Sequence, residues 1–164
     1  MSSSLLGPTR RVLAVIVTAL MCQACGHEQV RRLSSQQAAV TTPRTIGQQA
    51  AVVAVRQVGV PYRYGGTTTS GFDCSGLVQY AYSKAGRRIP RTTTQQWRTL
   101  TPVERDELRI GDVLFFRIEG KVSHVGLYLG ERRFVHAPSS GREVTIAALD
   151  SEYYRRALVR GGRP

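Results

Sequence analysis

Three side chains in this sequence could together break an amide bond: the thiol of Cys74 and the imidazoles of His124 and His136. Cys74 is the only cysteine outside the first 25 residues, so a domain built from the rest of the chain offers it no disulfide partner. Its setting suggests a use. Gly71-Phe72-Asp73 reads as a turn, and Cys74-Ser75-Gly76-Leu77-Val78-Gln79-Tyr80-Ala81-Tyr82 as the opening of an amphipathic helix. A cysteine in a first helical turn faces unpaired N–H groups and the positive end of the dipole, which favour the thiolate. The competing reading is a buried, inert cysteine. The two histidines weigh for a nucleophile: His124 can take the thiol proton, and His136 can hold His124 by its other ring nitrogen. Attack on a carbonyl carbon then creates an oxyanion, for which the Cys74 backbone N–H is a candidate donor. Hydrolysis of the thioester closes the cycle with His124 as acid and then base. This chemistry calls for neither metal nor cofactor.

The elements that must position these groups follow from pattern and punctuation. A helix is predicted from Ile46 to Val58, ended by Gly59 and Val60-Pro61. Tyr62-Arg63-Tyr64-Gly65-Gly66 is a loop suited to close backbone approach. The Cys74 helix runs to about Ala85 and stops at Gly86. Arg87 to Thr101 is a polar connection or short helix, with Trp97 as a packing anchor. After the turn Leu108 to Asp112, alternation of period two predicts strands over Val113–Ile118, Val122–Leu129, Arg133–Ala137 and Glu143–Ala147. A short helix near Ser151–Ala157 and a frayed basic tail, Arg160 to Pro164, complete the chain. Helices first and antiparallel strands afterwards make the class α+β.

The hairpin carries a test of its own. His124 and His136 have the same parity, so they share a face only if the connecting loop has an odd residue count or a bulge. Pairing Leu129 with Arg133 leaves a three-residue loop and sets His136 opposite Gly126, within diagonal reach of His124. Glycine at 126 leaves room for the rings. A plain two-residue loop would put the histidines on opposite faces, and the triad would fail.

The N-terminus reads as an export segment. Thr9-Arg10-Arg11 precedes an apolar run, Val12 to Met21, too short to span a bilayer as a mature helix. Ala24-Cys25-Gly26 has the form of a bacterial lipoprotein processing site, with Cys25 as the lipidated residue. Cys22 stands where leucine is usual in such sites, and a simple cleaved signal peptide is the alternative. Arg10-Arg11 also has the look of a twin-arginine signal. Cys22-Gln23-Ala24-Cys25 is formally a CxxC, but it lies at the end of this segment and far from any βαβ pattern. No zinc-ligand spacing occurs elsewhere. Residues 26–44, rich in Gln, Ser and Thr, read as a flexible tether that includes His27.

The net charge of +12 is carried by 21 arginines and two lysines. Such a balance fits nucleic acid, an anionic membrane surface or a polyanionic polymer. An exported chain without a nucleic-acid motif points to the last, cell-envelope polymer bearing stem-peptide carboxylates. Arginine abundance reflecting genome composition is the alternative.

Six motifs in order resemble the NlpC-type cysteine peptidases, a papain-like family of cell-wall hydrolases. They are Gly59-Val60-Pro61-Tyr62-Arg63-Tyr64-Gly65-Gly66, Phe72-Asp73-Cys74-Ser75-Gly76-Leu77-Val78, Ile89-Pro90-Arg91-Thr92, Gly111-Asp112-Val113-Leu114-Phe115-Phe116, His124-Val125-Gly126-Leu127-Tyr128-Leu129-Gly130 and Phe134-Val135-His136-Ala137. The likeness covers about Gly59 to Arg160 and is strongest to small lipoprotein murein endopeptidases. It implies a papain-like fold over residues 45–160, with Cys74 as nucleophile, His124 as base and His136 as orienting residue. It also implies that Tyr62, Asp73, Ser75 and Arg91 bind substrate. For these four the plainer readings are packing, a helix cap, a first-turn filler and a solvated loop charge. The resemblance implies cleavage of peptidoglycan peptides, at the D-alanyl–meso-diaminopimelate cross-link or at the γ-D-glutamyl–diaminopimelate bond within a stem. A non-catalytic murein-binding lipoprotein is the reading from another class, and an acyltransferase or amidase of related fold a remoter one. Expected partners are stem peptides, a membrane reached through the lipid anchor, and a regulatory protease or adaptor. The place expected is the periplasmic side of the envelope, at the outer membrane, with a secreted soluble form as the alternative. Loops such as Thr67–Gly71 and Ser139–Arg142 are expected to wall the cleft.

Overall fold

A computed structural model describes residues 44–164. The export segment with Cys25, and the tether up to residue 43, lie outside the described residues. Helix α1 (Ile46–Val55) starts at a capping box in which Thr45 and Gln48 satisfy each other's backbone N–H groups. It ends three residues before the expected Val58. Gln57 and Val58 bond back three residues, to Ala54 and Val55, so the chain tightens into a turn that Gly59 closes at φ 91°. A short hairpin follows, β1 (Thr67–Thr68) and β2 (Gly71–Phe72), and leads into α2 (Cys74–Lys84). Gly86, at φ 88°, stops that helix as the sequence implies. Helix α3 (Thr93–Thr99) occupies the expected polar connection and carries Trp97, whose ring packs edge-on to Phe115 at 5.3 Å under the guanidinium of Arg160.

The sheet has six strands in the order Thr101–Val103, Leu158–Arg163, Val113–Ile118, Lys121–Gly130, Arg133–His136 and Thr145–Ala148, with every neighbouring pair antiparallel. Strands β4 (Val113–Ile118), β5 (Lys121–Gly130), β6 (Arg133–His136) and β7 (Thr145–Ala148) match the alternating segments. Edge strand β3 (Thr101–Val103) tolerates Pro102 there, where no ladder N–H is missed. Helix α4 (Glu152–Ala157) is capped by Ser151 and runs straight into β8 (Leu158–Arg163). The expected basic tail is therefore a structural strand. Its Gly161 and Gly162 lie against Leu108, Val103 and Phe115, and Arg163 forks onto the buried carboxylate of Asp112 at 2.9 and 2.7 Å.

Strand β4 alternates between two cores. Val113 and Phe115 face Leu77, Val78 and Ala81 of α2 and Ala50 and Ala54 of α1. Leu114 and Phe116 face Phe134, Leu149 and Leu158, with Tyr154 of α4 packed on them. Burying one such ring contributes roughly 1.5–3 kcal/mol. The sheet is thus buried on both faces where it carries the histidines, while α2 brings the cysteine from the first core.

Candidate active site

Asp73 fixes the start of the cysteine helix. Its Oδ1 accepts from the N–H of Gly76 at 2.7 Å and its Oδ2 from the N–H of Gly65 at 3.0 Å, which ties the glycine loop to the cap. The loop then lies so close that a Cβ on Gly76 would come within 2.1 Å of the Gly66 carbonyl. Arg91 grips both carboxylate oxygens of Asp73, at 3.0 and 2.5 Å, and also donates to the Ser75 hydroxyl at 2.9 Å. Burial works to raise the Asp73 carboxyl, but the bonds from Arg91, Gly76 and Gly65 outweigh it and hold it below the ordinary carboxylate range. Asp73 is thus the cap that the plainer reading named, and Arg91 is its counter-ion rather than a solvated loop charge. All three side chains also line an open cleft of about 690 Å³, with Tyr62 and Cys74.

The walls of that cleft are not the expected loops. Besides Asp73, Cys74 and Ser75, they are Tyr62, Tyr64 and Gly65, the segment Arg91–Thr94 and the segment Lys121–Ser123. Thr67–Gly71 is spent on the β1–β2 hairpin, and Ser139–Arg142 does not line the cleft. At the floor, Cys74 Sγ sits 3.9 Å from the Thr93 hydroxyl and 4.0 Å from the Ser123 carbonyl, with the Val125 N–H also bonding to it. This part of β5 precedes the pairing with β6, which begins at Leu127. The thiol thus meets the backbone of β5, not the sheet face that holds the histidines.

The histidines come together by a route the sequence leaves ambiguous. The β5–β6 loop has two residues, Glu131 and Arg132, both left-handed at φ 48° and 55°, and Gly130 pairs with Arg133. A bulge between Tyr128 and Gly130 then takes up Leu129 and restores the parity, so Tyr128 pairs with Phe134 and Leu127 with Val135. The expected three-residue loop is replaced by two residues and a bulge, with the same outcome. His124 Nε2 lies 2.8 Å from His136 Nδ1. Gly126 makes the room: a Cβ there would lie 2.6 Å from the Phe134 ring and 3.2 Å from the His136 Cβ. Because Nε2 of His124 is engaged, its Nδ1 is the ring nitrogen left for the thiol.

The histidine pair rests neutral. Burial pushes the His124 imidazole down to about 4, and burial, then His124 and Arg142, push His136 down to about 3. Burial also raises the Cys74 thiol above its ordinary value, more than the bonds from Val125, Thr93 and Ser75 lower it. Burial thus opposes the thiolate that the helix start favours. The Tyr62 phenol is raised too, by burial and then by charge on Cys74 and Asp73, and it lines the same cleft as the thiol. Thr93, Ser123 and Tyr154 escaped the sequence reading. A capping-box pattern, Thr92 with Gln95, could have placed Thr93 in a first helical turn. Tyr154 left no such signal.

Comparison with known proteins agrees with this geometry. The NlpC/P60 family pattern matches residues 59–163. The chain is 44% identical over 111 residues to the murein DD-endopeptidase MepH of Escherichia coli (strain K12), covering 64% of this chain and 41% of that protein. It is 42% identical over 110 residues to the gamma-DL-glutamyl hydrolase of Bacillus subtilis (strain 168), covering 65% of this chain and 26% of that one. The chain thus spans less than half the length of either relative. Among solved structures, an NlpC/P60 family protein from Bacillus cereus ATCC 10987 superposes with a TM-score of 0.68 at 31% identity, over 74% of this chain and 41% of that one. The NlpC/p60 domain of the peptidoglycan hydrolase SagA gives 0.63 at 31% identity, over 72% of this chain and 98% of that one. With its α+β architecture, its cleft cysteine and its paired histidines, the chain belongs to the NlpC/P60 family.

Proposed function

We propose that this protein is a cysteine endopeptidase that hydrolyses peptide bonds of peptidoglycan, with Cys74 as nucleophile, His124 as base and His136 as the residue that orients it. The observation that carries this reading is the 2.8 Å bond between His124 Nε2 and His136 Nδ1, on a strand whose backbone on either side of His124, at Ser123 and Val125, meets the thiol of the cleft residue Cys74. In this mechanism the thiol proton passes to Nδ1 of His124, which burial keeps neutral beforehand, as Sγ attacks the scissile carbonyl carbon. The carbonyl oxygen takes the negative charge and accepts from the Cys74 N–H, which has no intrahelical acceptor at the first helical position. His124 then gives its proton to the departing amine. A water, deprotonated by His124, attacks the thioester carbonyl and releases the acid, and the proton returns to Cys74.

Tyr62 is assigned to the cleft wall over the nucleophile, and Asp73, Ser75 and Arg91 to its opposite floor, where substrate amide and carboxylate groups meet a preformed polar network. The bond we favour is the D-alanyl–meso-diaminopimelate cross-link, since MepH is named a DD-endopeptidase. The γ-D-glutamyl–diaminopimelate bond is the second reading, since a relative of nearly equal identity is named a gamma-DL-glutamyl hydrolase. Mass spectrometry of cross-linked muropeptides incubated with the protein separates them. Dimers converted to monomers support the first, and shortened stems with intact cross-links would move the assignment to the second. We further propose that the chain works on the periplasmic side of the envelope, anchored through Cys25, which metabolic labelling with a palmitate analogue tests: label on wild type and not on Cys25→Ala is expected, and label on neither would contradict it.

A further inference from the structure

His136 has a second neighbour that the triad does not use. Its Nδ1 holds His124, and its Nε2 lies 3.5 Å from the hydroxyl of Tyr154, a long contact of the kind that unliganded catalytic sites often show. Tyr154 is fixed for this contact. Its ring stands edge-on to His136 at 5.4 Å and 86°, and it packs on Phe134 at 4.9 Å and Phe116 at 5.4 Å. His136 itself is 1% exposed, and the groups that face it are His124, Arg142 and this phenol.

Proton counting shows which direction of this contact goes with His124 as the base. A neutral imidazole carries one N–H, so each histidine donates from one nitrogen and accepts at the other. For His124 to accept the thiol proton, its Nδ1 must be bare, so its own proton sits on Nε2 and is donated to His136 Nδ1. His136 Nδ1 is then an acceptor, and the proton of His136 must sit on Nε2, where it meets Tyr154. If both protons moved to the other nitrogens, the contact between the rings would survive with its direction reversed. His124 Nδ1 would then carry a proton toward the thiol and could not act as base. The ring-to-ring contact is therefore degenerate, and the direction of the bond at the far end, from Nε2–H to the phenol or from the phenol to Nε2, goes with one tautomer pair or the other.

We infer that Tyr154 is a positioning residue which, by accepting a hydrogen bond from His136 Nε2–H, sets the tautomers of both histidines and so keeps His124 able to deprotonate Cys74. A phenol hydroxyl can either accept from Nε2–H or donate to a bare Nε2, and the accepting direction, the one we assign to Tyr154, leaves His124 Nδ1 bare. This inference rests on the proposed roles of Cys74, His124 and His136, but not on which bond is cut.

The test reads the tautomers directly, without substrate. In the full chain labelled with ¹⁵N, long-range proton–nitrogen correlations assign each ring, and both His124 and His136 are expected in the Nε2–H form. A wild-type His136 in the Nδ1–H form overturns the inference, whatever the variants do. In Tyr154→Phe, which keeps the ring packing, a share of both histidines is expected to move to Nδ1–H. The accompanying fall in kcat is about tenfold with KM unchanged, the size of effect typical when an outer-shell partner is lost. Tyr154→Phe with unaltered tautomers and unaltered kcat overturns the inference. Loss of all activity in both proteins, with wild-type tautomers as expected, would instead count against the endopeptidase reading alone.

Discussion

Two buried neutral histidines should make this fold sensitive to mild acid. Between pH 7.5 and 5 an unfolded histidine, titrating near 6.5, gains a proton, while His124 and His136, held near 4 and 3, do not. Their folded values are depressed, so the unfolded state binds more protons and unfolding becomes easier as pH falls through 6.5. Each contributes about 2 kcal/mol to that loss and the pair about 4 kcal/mol, before most carboxylates titrate. The two are 6% and 1% exposed, so solvent screening does little to reduce the figure. Urea unfolding of the wild type and of His136→Asn, followed by tyrosine and tryptophan fluorescence across this range, measures it. The wild type should lose about 4 kcal/mol and His136→Asn about half as much. A stability that stays flat from pH 7.5 to 5 would refute the claim that both imidazoles are held neutral.

Other outcomes follow from the same geometry. Alkylation of Cys74 by iodoacetamide should rise continuously from pH 7 to beyond 9, because burial raises the thiol; a plateau already reached near neutrality would mean a resting thiolate. Arg91→Met strips a partner from the nearly buried Asp73 carboxylate and should cost about 2–3 kcal/mol, to be read by denaturant midpoint. The same substitution should raise the Asp73 carboxyl, which carboxyl NMR would follow. Gly126→Ala places a methyl 2.6 Å from the Phe134 ring and 2.9 Å from the Val135 carbonyl, and should cost about 1–3 kcal/mol and disturb the histidine pair. Unchanged stability and activity would show that β6 yields more readily than its packing implies.

Much of this site was legible because its groups sit on strongly punctuated elements. The turn before Cys74, Gly86 after its helix and the alternation through β4 and β5 gave those elements to within a residue or two. The hairpin was legible in outcome and not in detail. Glu131 and Arg132 lack the Asn-Gly chemistry that marks a two-residue turn, so the left-handed pair and the compensating bulge stayed hidden. Strand β8 was missed because Arg160-Gly161-Gly162-Arg163 looks like a solvated tail. It is a central strand whose glycines fit under Val103, Leu108 and Phe115 and whose arginine finds Asp112 far away in sequence. The burial that raises the Cys74 thiol was hidden for a similar reason: a helix start is visible locally, whereas desolvation against β5 is a tertiary property.

The measurement that bears most directly on the central claim is the release of new amino groups from purified murein by the full chain and by Cys74→Ala, at equal concentration and with folding checked by circular dichroism. Steady release by the wild type and none above background by Cys74→Ala is the expected result. Equal release by both proteins would contradict the assignment of Cys74 as nucleophile, and with it the roles given to His124 and His136.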